Sequence, residues 1–134
     1  MIDGAINGST EIVQKALDTL ALRHRTLANN VANVNVEGFK RSDVDFAKAL
    51  EMAVATRRGS GAAVSGGAKA RAGRSSSGID AAVFQPDKPI PEGAASNVDV
   101  DEEMVALSEN ALLYETYATL LSLRLATLRA AIRG

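Results

Sequence analysis

The chain of 134 residues contains no cysteine and no tryptophan, and it has a single histidine, His24. Without cysteine there can be no disulfide bridge, thiol nucleophile or thiolate zinc site, and one histidine cannot build a multi-histidine metal centre. His24 is therefore interpreted as a structural residue. Because these absences remove the usual tools of most enzyme classes, the sequence predicts no catalytic, cofactor-binding or metal-binding residues.

Aromatic residues are also scarce, at 4% of the chain, whereas hydrophobic residues make up 46%. The core must then be built from alanine, leucine, valine and isoleucine, which suits closely packed helices better than aromatic-rich strands. Fifteen basic residues nearly balance sixteen acidic ones, for a net charge of -1. This balance gives no reason to expect nucleic acid or an anionic membrane as a partner.

Long hydrophobic runs are missing as well. In the most apolar stretch the longest run without charge covers the eight residues Thr116–Leu123, far fewer than the roughly 20 residues that a membrane span needs. The first residues carry neither a basic segment nor an apolar one, so no cleavable signal peptide is recognised. We expect a chain that is made in the cytoplasm and has no direct membrane span.

The two ends of the chain carry heptad-like apolar patterns that predict long helices. The first helix is expected to begin at Ser9 or Thr10 and to reach about Ala32. After a turn, Ser42 with Asp45 resembles a capping box for a short second helix. The C-terminal helix is expected to follow Asp99 as its N-cap, and it has more apolar faces than one partner helix can cover. We therefore expect its remaining faces to pack against other subunits.

The middle of the chain lacks such periodicity. Six of the eleven glycines lie between Gly59 and Gly78, and the three prolines follow at 86, 89 and 91, a composition that predicts a flexible or extended segment. The predicted fold class is all-α: two long terminal helices pair as an antiparallel, coiled-coil-like hairpin, with one short helix and this irregular middle. The segments are 1–35, 36–58, 59–97 and 98–134, within one structural unit.

A basic tract in a glycine- and serine-rich setting leaves a different reading open, that of a cytoplasmic helical adaptor that binds nucleic acid. No aromatic residue is interleaved for base stacking. The tract consists of Arg57, Arg58, Lys69, Arg71 and Arg74.

Two stretches of the sequence narrow the choice of protein family. Residues 27–40 read LANNVANVNVEGFK, and this resembles the N-terminal signature of bacterial flagellar rod, hook and related axial proteins. Val36 and Glu37 replace the usual Thr-Pro of that signature, and Phe39 replaces Tyr. Residues 97–110 read NVDVDEEMVALSEN and are similar to the C-terminal motif of the proximal rod members of the family.

The resemblance implies a non-enzymatic structural subunit of the flagellar basal-body rod, many copies of which assemble helically into a hollow shaft that transmits torque across the periplasm. It also implies export through the flagellar type III export gate without a cleaved signal peptide. The implied partners are further copies of the chain, FliE, FlgC and other rod subunits. Another rod subunit, such as FlgC itself, is the alternative within the family.

The residues that we expect to pack between subunits come from the two apolar patterns and from the unusual asparagines near residue 30. Those asparagines could bind a neighbouring chain or the following turn, and ordinary helix termination is the alternative for Asn33. The predicted packing residues are Leu17, Leu20, His24, Leu27, Asn29, Asn30, Val31, Asn33, Met104, Leu107, Ala111, Tyr114, Ala118, Leu121, Leu125 and Leu128.

Overall fold

The computed structural model describes residues 2–60 and 82–134. Its described part is mostly helical, which confirms the predicted fold class with its two long terminal helices. In chain order the elements are α1 (Ile2–Ala32), β1 (Asp43–Val44), α2 (Phe46–Ser60), β2 (Val83–Phe84) and α3 (Val100–Arg133). The part of the predicted irregular middle between residues 61 and 81 lies outside the described residues.

The helices α1 and α3 lie antiparallel along most of their length. Asn30, near the end of α1, is hydrogen-bonded to Glu103 near the start of α3. Earlier in α1, the Leu20 carbonyl accepts a hydrogen bond from Asn110, further along α3. With 31 and 34 residues, the two helices are about 46 and 51 Å long. The chain is therefore an elongated hairpin, and the turn between helices defines one end of it.

The helix α1 begins at Ile2, so the prediction that Ser9 or Thr10 caps it was wrong. Ser9 lies inside the helix, and its hydroxyl accepts a hydrogen bond from Arg124 of α3. The physical reason is that a serine hydroxyl can serve as a cap or as a contact to another helix, and sequence alone does not distinguish these uses.

The caps of the other two helices are resolved by hydrogen bonds. Asp99 caps α3 as predicted, since its carboxylate accepts from the backbone N–H groups of residues 101 and 102. For α2 the predicted cap Ser42 is wrong, because the Asp45 carboxylate accepts from the Lys48 N–H at 2.9 Å. The Ser42 backbone is instead bonded to the side chain of Asn30, which holds it outside the helix.

A two-stranded antiparallel sheet joins the turn to the end of the middle segment. Asp43 pairs with Phe84, and Val44 pairs with Val83. Val44, Ala49 and Ala82 form a small buried cluster beside it, against Leu22 of α1. The sequence did not predict this sheet, because strands of two residues are too short to show an alternating pattern.

After β2 the chain runs back over the turn to reach α3. The Gly38 N–H donates to the Ala95 carbonyl at 2.8 Å, and the Asn97 N–H donates to the Phe39 carbonyl. Gly38 has a φ of 77°, a left-handed conformation that favours glycine. These contacts place residues 95–97 directly against residues 34–41, where the polar residues described below converge.

Burial is concentrated at the turn end of the hairpin. The largest fully buried side chains are Leu20, Leu27, Glu103, Asn30 and Asn110. Beyond Asn110, no residue of α3 is buried in the described part of the chain. The outer two-thirds of α3 therefore contacts the rest of its own chain on one side only.

Candidate subunit interface

Most large hydrophobic side chains of α3 point away from α1. Leu112 is 66% exposed, Leu123 is 64% exposed and Ile132 is 85% exposed. Contiguous apolar surface on this scale marks a site where another protein binds. We define the outer face of α3 by its exposed large hydrophobic residues: Val100, Met104, Val105, Leu112, Leu113, Tyr114, Leu120, Leu123, Leu125 and Ile132.

The predicted packing residues of α1 occupy three kinds of environment. Leu20, Leu27 and Asn30 are buried within the chain itself. His24 and Asn29 are exposed, and the half-buried members are Leu17, Val31 and Asn33. Asn33 donates to the Asn29 carbonyl at 2.7 Å, a contact inside the end of α1.

On α3 the predicted residues are either exposed or only half-buried. Met104, Ala111, Tyr114 and Leu125 are exposed, while Leu107, Ala118, Leu121 and Leu128 are half-buried. The structure does not bring these eight residues together into a buried core. Their role in packing between subunits remains a prediction.

A different row of α3 residues faces the rest of the chain. Its members are spaced seven residues apart, and each makes a side-chain contact outside α3: Glu103 with Asn30, Asn110 with Leu20, Tyr117 with Phe46, and Arg124 with Ser9. We call these four residues the inner row. Since a spacing of seven keeps residues on one side of a helix, the signal was present in the sequence. Three of its four members are polar, so the row does not appear in the apolar periodicity from which the packing residues were predicted.

The centre of the polar contacts is the buried carboxylate of Glu103. Arg41 Nε donates to one of its oxygens at 2.6 Å, and Asn30 Nδ2 donates to the other at 3.0 Å. Asn30 also exchanges hydrogen bonds with the Ser42 backbone, at 2.7 Å to the carbonyl and 3.0 Å from the N–H. A fully buried charge is tolerated only where such partners replace water. Glu103 thus ties α3 to the end of α1 and to the turn.

A second ion pair extends this cluster along α1. Arg23 donates two hydrogen bonds to Asp43, at 2.9 and 3.3 Å, and Arg41 approaches the same carboxylate at 3.6 Å. Burial alone raises the pKa of Asp43, but the hydrogen bonds from Arg23 and from the Val44 N–H outweigh it, so the pKa is below its ordinary value. The carboxylate therefore stays ionised between the two guanidinium groups.

Asn97 and Ser96 attach the returning loop to the same cluster. Asn97 accepts a hydrogen bond from the Arg41 N–H at 2.7 Å and donates to the Lys88 carbonyl at 2.6 Å. Ser96 donates to the Val34 carbonyl at 2.6 Å. Arg41 and Ser96 were not among the predicted packing residues, because single polar residues in loops carry no periodic signal. Arg23 was not among them because it lies off the apolar pattern of α1.

Asn110 is the inner-row residue at the middle of the hairpin. Its Nδ2 donates to the Leu20 carbonyl at 2.9 Å, while its Oδ1 is buried and has no hydrogen-bond partner among the residues that the structure describes. A buried amide of this kind costs stability compared with an apolar side chain. In helix pairs a buried asparagine is known to select one register over others.

Within the described residues no cluster of histidine, aspartate or glutamate side chains is arranged to hold a metal ion. None of the described helices is apolar over enough length to cross a membrane. An open groove of about 470 Å³ at the end of α3 is lined by Leu120, Leu123, Arg124, Thr127, Leu128 and Ala131.

The basic tract that suggested nucleic-acid binding falls outside what the structure describes. Lys69, Arg71 and Arg74 lie in residues 61–81, and the side chains of Arg57 and Arg58 are likewise not described.

The chain is similar to known flagellar rod proteins of several bacteria. Residues 12–40 match the family model described as "Flagella basal body rod protein". The chain is 31% identical to the flagellar basal body rod protein FlgB of Yersinia enterocolitica, over 87% of each chain. It is 30% identical to FlgB of Borrelia hermsii, over 84% of this chain and 86% of the relative. FlgB of Salmonella typhimurium is 29% identical over 96% of each chain.

Proposed function

As a member of the flagellar basal body rod protein family, this chain is a structural subunit of the rod and not an enzyme, and we propose that its copies assemble through the outer face of α3. The observation that carries the proposal is the set of ten large hydrophobic residues that α3 exposes. A subunit that stood alone would leave this surface in water at a cost, whereas neighbouring subunits can cover it.

The free energy available from burying these exposed side chains supports assembly. Full burial of a large apolar side chain contributes about 1.5 to 3 kcal/mol, and these side chains are roughly half-exposed, so each has about 1 kcal/mol left to gain. Ten of them together are worth about 10 kcal/mol. That is of the same order as the cost of about 4 to 15 kcal/mol for immobilising a protein partner. Contacts with more than one neighbour, as in a helical array, then make assembly favourable.

The inner row explains why the apolar residues remain outside. Glu103 and Asn110 are buried against α1 and their hydrogen bonds require specific partners in their own chain. Turning α3 to bury Met104 and Leu112 inside the chain would break those bonds and leave a carboxylate unpaired. The polar contacts therefore hold α3 in the orientation that presents its apolar face to other subunits. We propose that the four predicted segments of the chain form one structural unit.

We further propose a proximal position in the rod, where it crosses the periplasm, with FliE, FlgC and the export gate as neighbours. The naming of the relatives as FlgB supports this position. The absence of cysteine supports export by the flagellar type III route, because a chain without thiols cannot be cross-linked while it passes a narrow channel unfolded. The shaft formed by many copies would be hollow and would transmit torque.

The test begins with mass spectrometry of purified basal bodies from the source organism, together with the motility of a strain that lacks the gene. We expect the chain in the particles and a non-motile deletion strain without rods. Intact motility in the deletion strain would contradict the proposal.

A single substitution tests whether the outer face of α3 is the subunit interface. Leu112→Glu should leave the folded hairpin intact and lower incorporation into basal bodies about tenfold or more, since 1.4 kcal/mol is a factor of ten. Gln14→Glu is the matched control, because Gln14 is exposed on α1 and the same charge is introduced there. Equal incorporation of the two variants would argue against the outer face as the interface.

A further inference from the structure

The register of the hairpin is the position of α3 along α1, and a shift by one heptad would bring the same sides of the two helices together again. Such a shift corresponds to about 10.5 Å along the axis. We propose that polar contacts at the turn end, centred on Arg41, select the observed register, and that the buried Asn110 in the middle of the hairpin does not. The proposal concerns a single chain and does not depend on the assembly proposed above.

Apolar contacts between the two helices leave the register undecided. On α1 the buried side chains of Val13, Leu20 and Leu27 are spaced seven residues apart. On α3 the half-buried leucines Leu121 and Leu128 have the same spacing. A shift by one heptad would therefore again place leucines beside apolar residues, and apolar contacts are non-directional.

The hydrogen bond of Asn110 is also available after such a shift. Its Nδ2 donates to a backbone carbonyl, that of Leu20, and a helix presents a carbonyl on nearly the same side again seven residues further on. In a shifted register the carbonyl of Leu27, a residue that is as fully buried as Leu20, would accept the bond instead. A buried asparagine specifies a register when its partner is a particular side chain, and Asn110 has no such partner among the described residues.

The contacts of Glu103, in contrast, exist only in the observed register. Arg41 Nε donates to its Oε1 at 2.6 Å, and Asn30 Nδ2 donates to its Oε2 at 3.0 Å. A shift of one heptad towards the chain termini would bring Glu103 level with Arg23, whose guanidinium already binds Asp43. The opposite shift would carry Glu103 past the end of α1. Either shift would separate the carboxylate from both of its donors, and polar groups buried without partners destabilise the shifted form.

Asn97 holds the start of α3 at the same place. Its Oδ1 accepts a hydrogen bond from the Arg41 N–H at 2.7 Å, and its own N–H donates to the Phe39 carbonyl. Asn97 is buried and lies just before Val100, the first residue of α3, so a shift of the helix would break both bonds. Arg41 thus binds the loop through its backbone and α3 through its side chain.

The two remaining members of the inner row resist a shift less. The ring centroids of Tyr117 and Phe46 are 5.8 Å apart, and Arg124 donates to Ser9. Tyr117 and Arg124 are only half-buried, so water can replace a polar partner that is lost in a shifted register. Glu103 is fully buried, so water does not replace its donors in the same way.

Spin labels on the two helices measure the register. The reference chain carries Glu11→Cys on α1 and Val105→Cys on α3, both at exposed positions, and the sequence contains no other cysteine. Counted from the contact between Asn30 and Glu103, the labelled residues are about 26 Å apart along the axis, and a shift by one heptad changes this to about 36 or about 15 Å. Pulsed electron–electron double resonance gives the distance distribution, in samples diluted with unlabelled chain so that only distances within one chain are seen.

The double substitution Asn97→Leu with Glu103→Leu removes the selecting contacts from this reference chain. The variant should remain helical by far-ultraviolet circular dichroism and should show a second distance, displaced by about 10 Å from that of the reference chain. Asn110→Leu is the matched control, because it also replaces a buried polar residue of the inner row by leucine. Its distance distribution should keep a single, unshifted maximum.

Each result decides for or against the proposal. A single, unshifted distance in the chain with both Asn97→Leu and Glu103→Leu would overturn it, and so would a second distance in Asn110→Leu. Loss of the helical signal in the double variant would also overturn it, because the turn-end contacts would then hold the fold itself and not choose among registers. The rod function is tested separately by incorporation into basal bodies, so the two proposals can fail independently.

Discussion

Glu103 gives the sharpest test of how the hairpin is held together. Replacing Glu103 with alanine removes a fully buried carboxylate that accepts hydrogen bonds from Arg41 and Asn30. Both hydrogen bonds are made to the ionised carboxylate, and a hydrogen bond to a charged group contributes about 1.5 to 3 kcal/mol. The Arg41 side chain is 14% exposed and lies 3.6 Å from Asp43. After Glu103 is removed, the Arg41 charge therefore remains partly solvated and paired with Asp43. We therefore expect a loss of about 3 kcal/mol, near the lower end for breaking a buried pair.

The adjacent residue provides the matched control. Glu102 also makes one ion pair, with Lys88 at 2.9 Å, but its side chain is 60% exposed and that of Lys88 is 42% exposed. Glu102→Ala should cost at most about 1 kcal/mol, as exposed pairs do. Both glutamates lie in the first turn of α3, so the helix-dipole effect is shared. The difference between the two variants then reports the burial of Glu103.

The assay is urea unfolding of the purified chain, followed by far-ultraviolet circular dichroism. With a slope of about 1 to 2 kcal/mol per molar urea, a loss of 3 kcal/mol lowers the midpoint by about 1.5 to 3 M. The double variant Glu103→Gln with Arg41→Met should be more stable than the sum of the single losses predicts, by about 1 kcal/mol. A difference below about 1 kcal/mol between Glu103→Ala and Glu102→Ala would refute the reasoning.

Three further predictions follow from single residues. Because the pKa of Asp43 is below its ordinary value of 3.8 in the folded chain, its ion pairs stabilise the protein above that value, and this contribution is lost as the pH falls through the lower, folded pKa. Urea midpoints between pH 6 and pH 2 should fall less steeply for Asp43→Asn than for the parent chain, and equal slopes would contradict the assignment. Gly38→Ala should cost about 1 to 2 kcal/mol, since alanine is strained at a φ of 77°; a thermal midpoint equal to that of the parent would show that the turn can relax. Asn110→Leu removes a buried oxygen that has no partner in the described part of the chain, so stability should stay unchanged or rise by about 1 kcal/mol. A loss above about 2 kcal/mol in urea would show that the hydrogen bond to Leu20 outweighs that oxygen.

The helical class and the long terminal helices could be predicted because helix formation depends on local periodicity. Apolar residues that recur every three or four positions specify a helix wherever it packs. The N-cap at Asp99 was also predictable, since an aspartate before an acidic first turn is a local signal. The resemblance of the two terminal strings to flagellar rod proteins led to the correct family for the same reason, as both strings are contiguous.

The errors at helix ends have a common cause. Ser9 and Ser42 each have a hydroxyl or backbone suited to a cap, yet their hydrogen bonds go to Arg124 and to Asn30. These partners are 115 and 12 residues away in the sequence. A choice between a local cap and a distant partner depends on which groups the fold brings near, and a local pattern does not contain that information.

By itself, the sequence determined that the protein is helical, that its ends form long helices and that α3 has more apolar surface than one chain can cover. Only the tertiary structure decided which side of α3 faces inward. The apolar pattern pointed to Met104 and Leu125, yet the inward side is the inner row with the buried Glu103 and Asn110. The reason is that apolar contacts are non-directional and can be satisfied by any neighbour. A buried carboxylate requires particular donors at hydrogen-bond distance, and those donors are in its own chain.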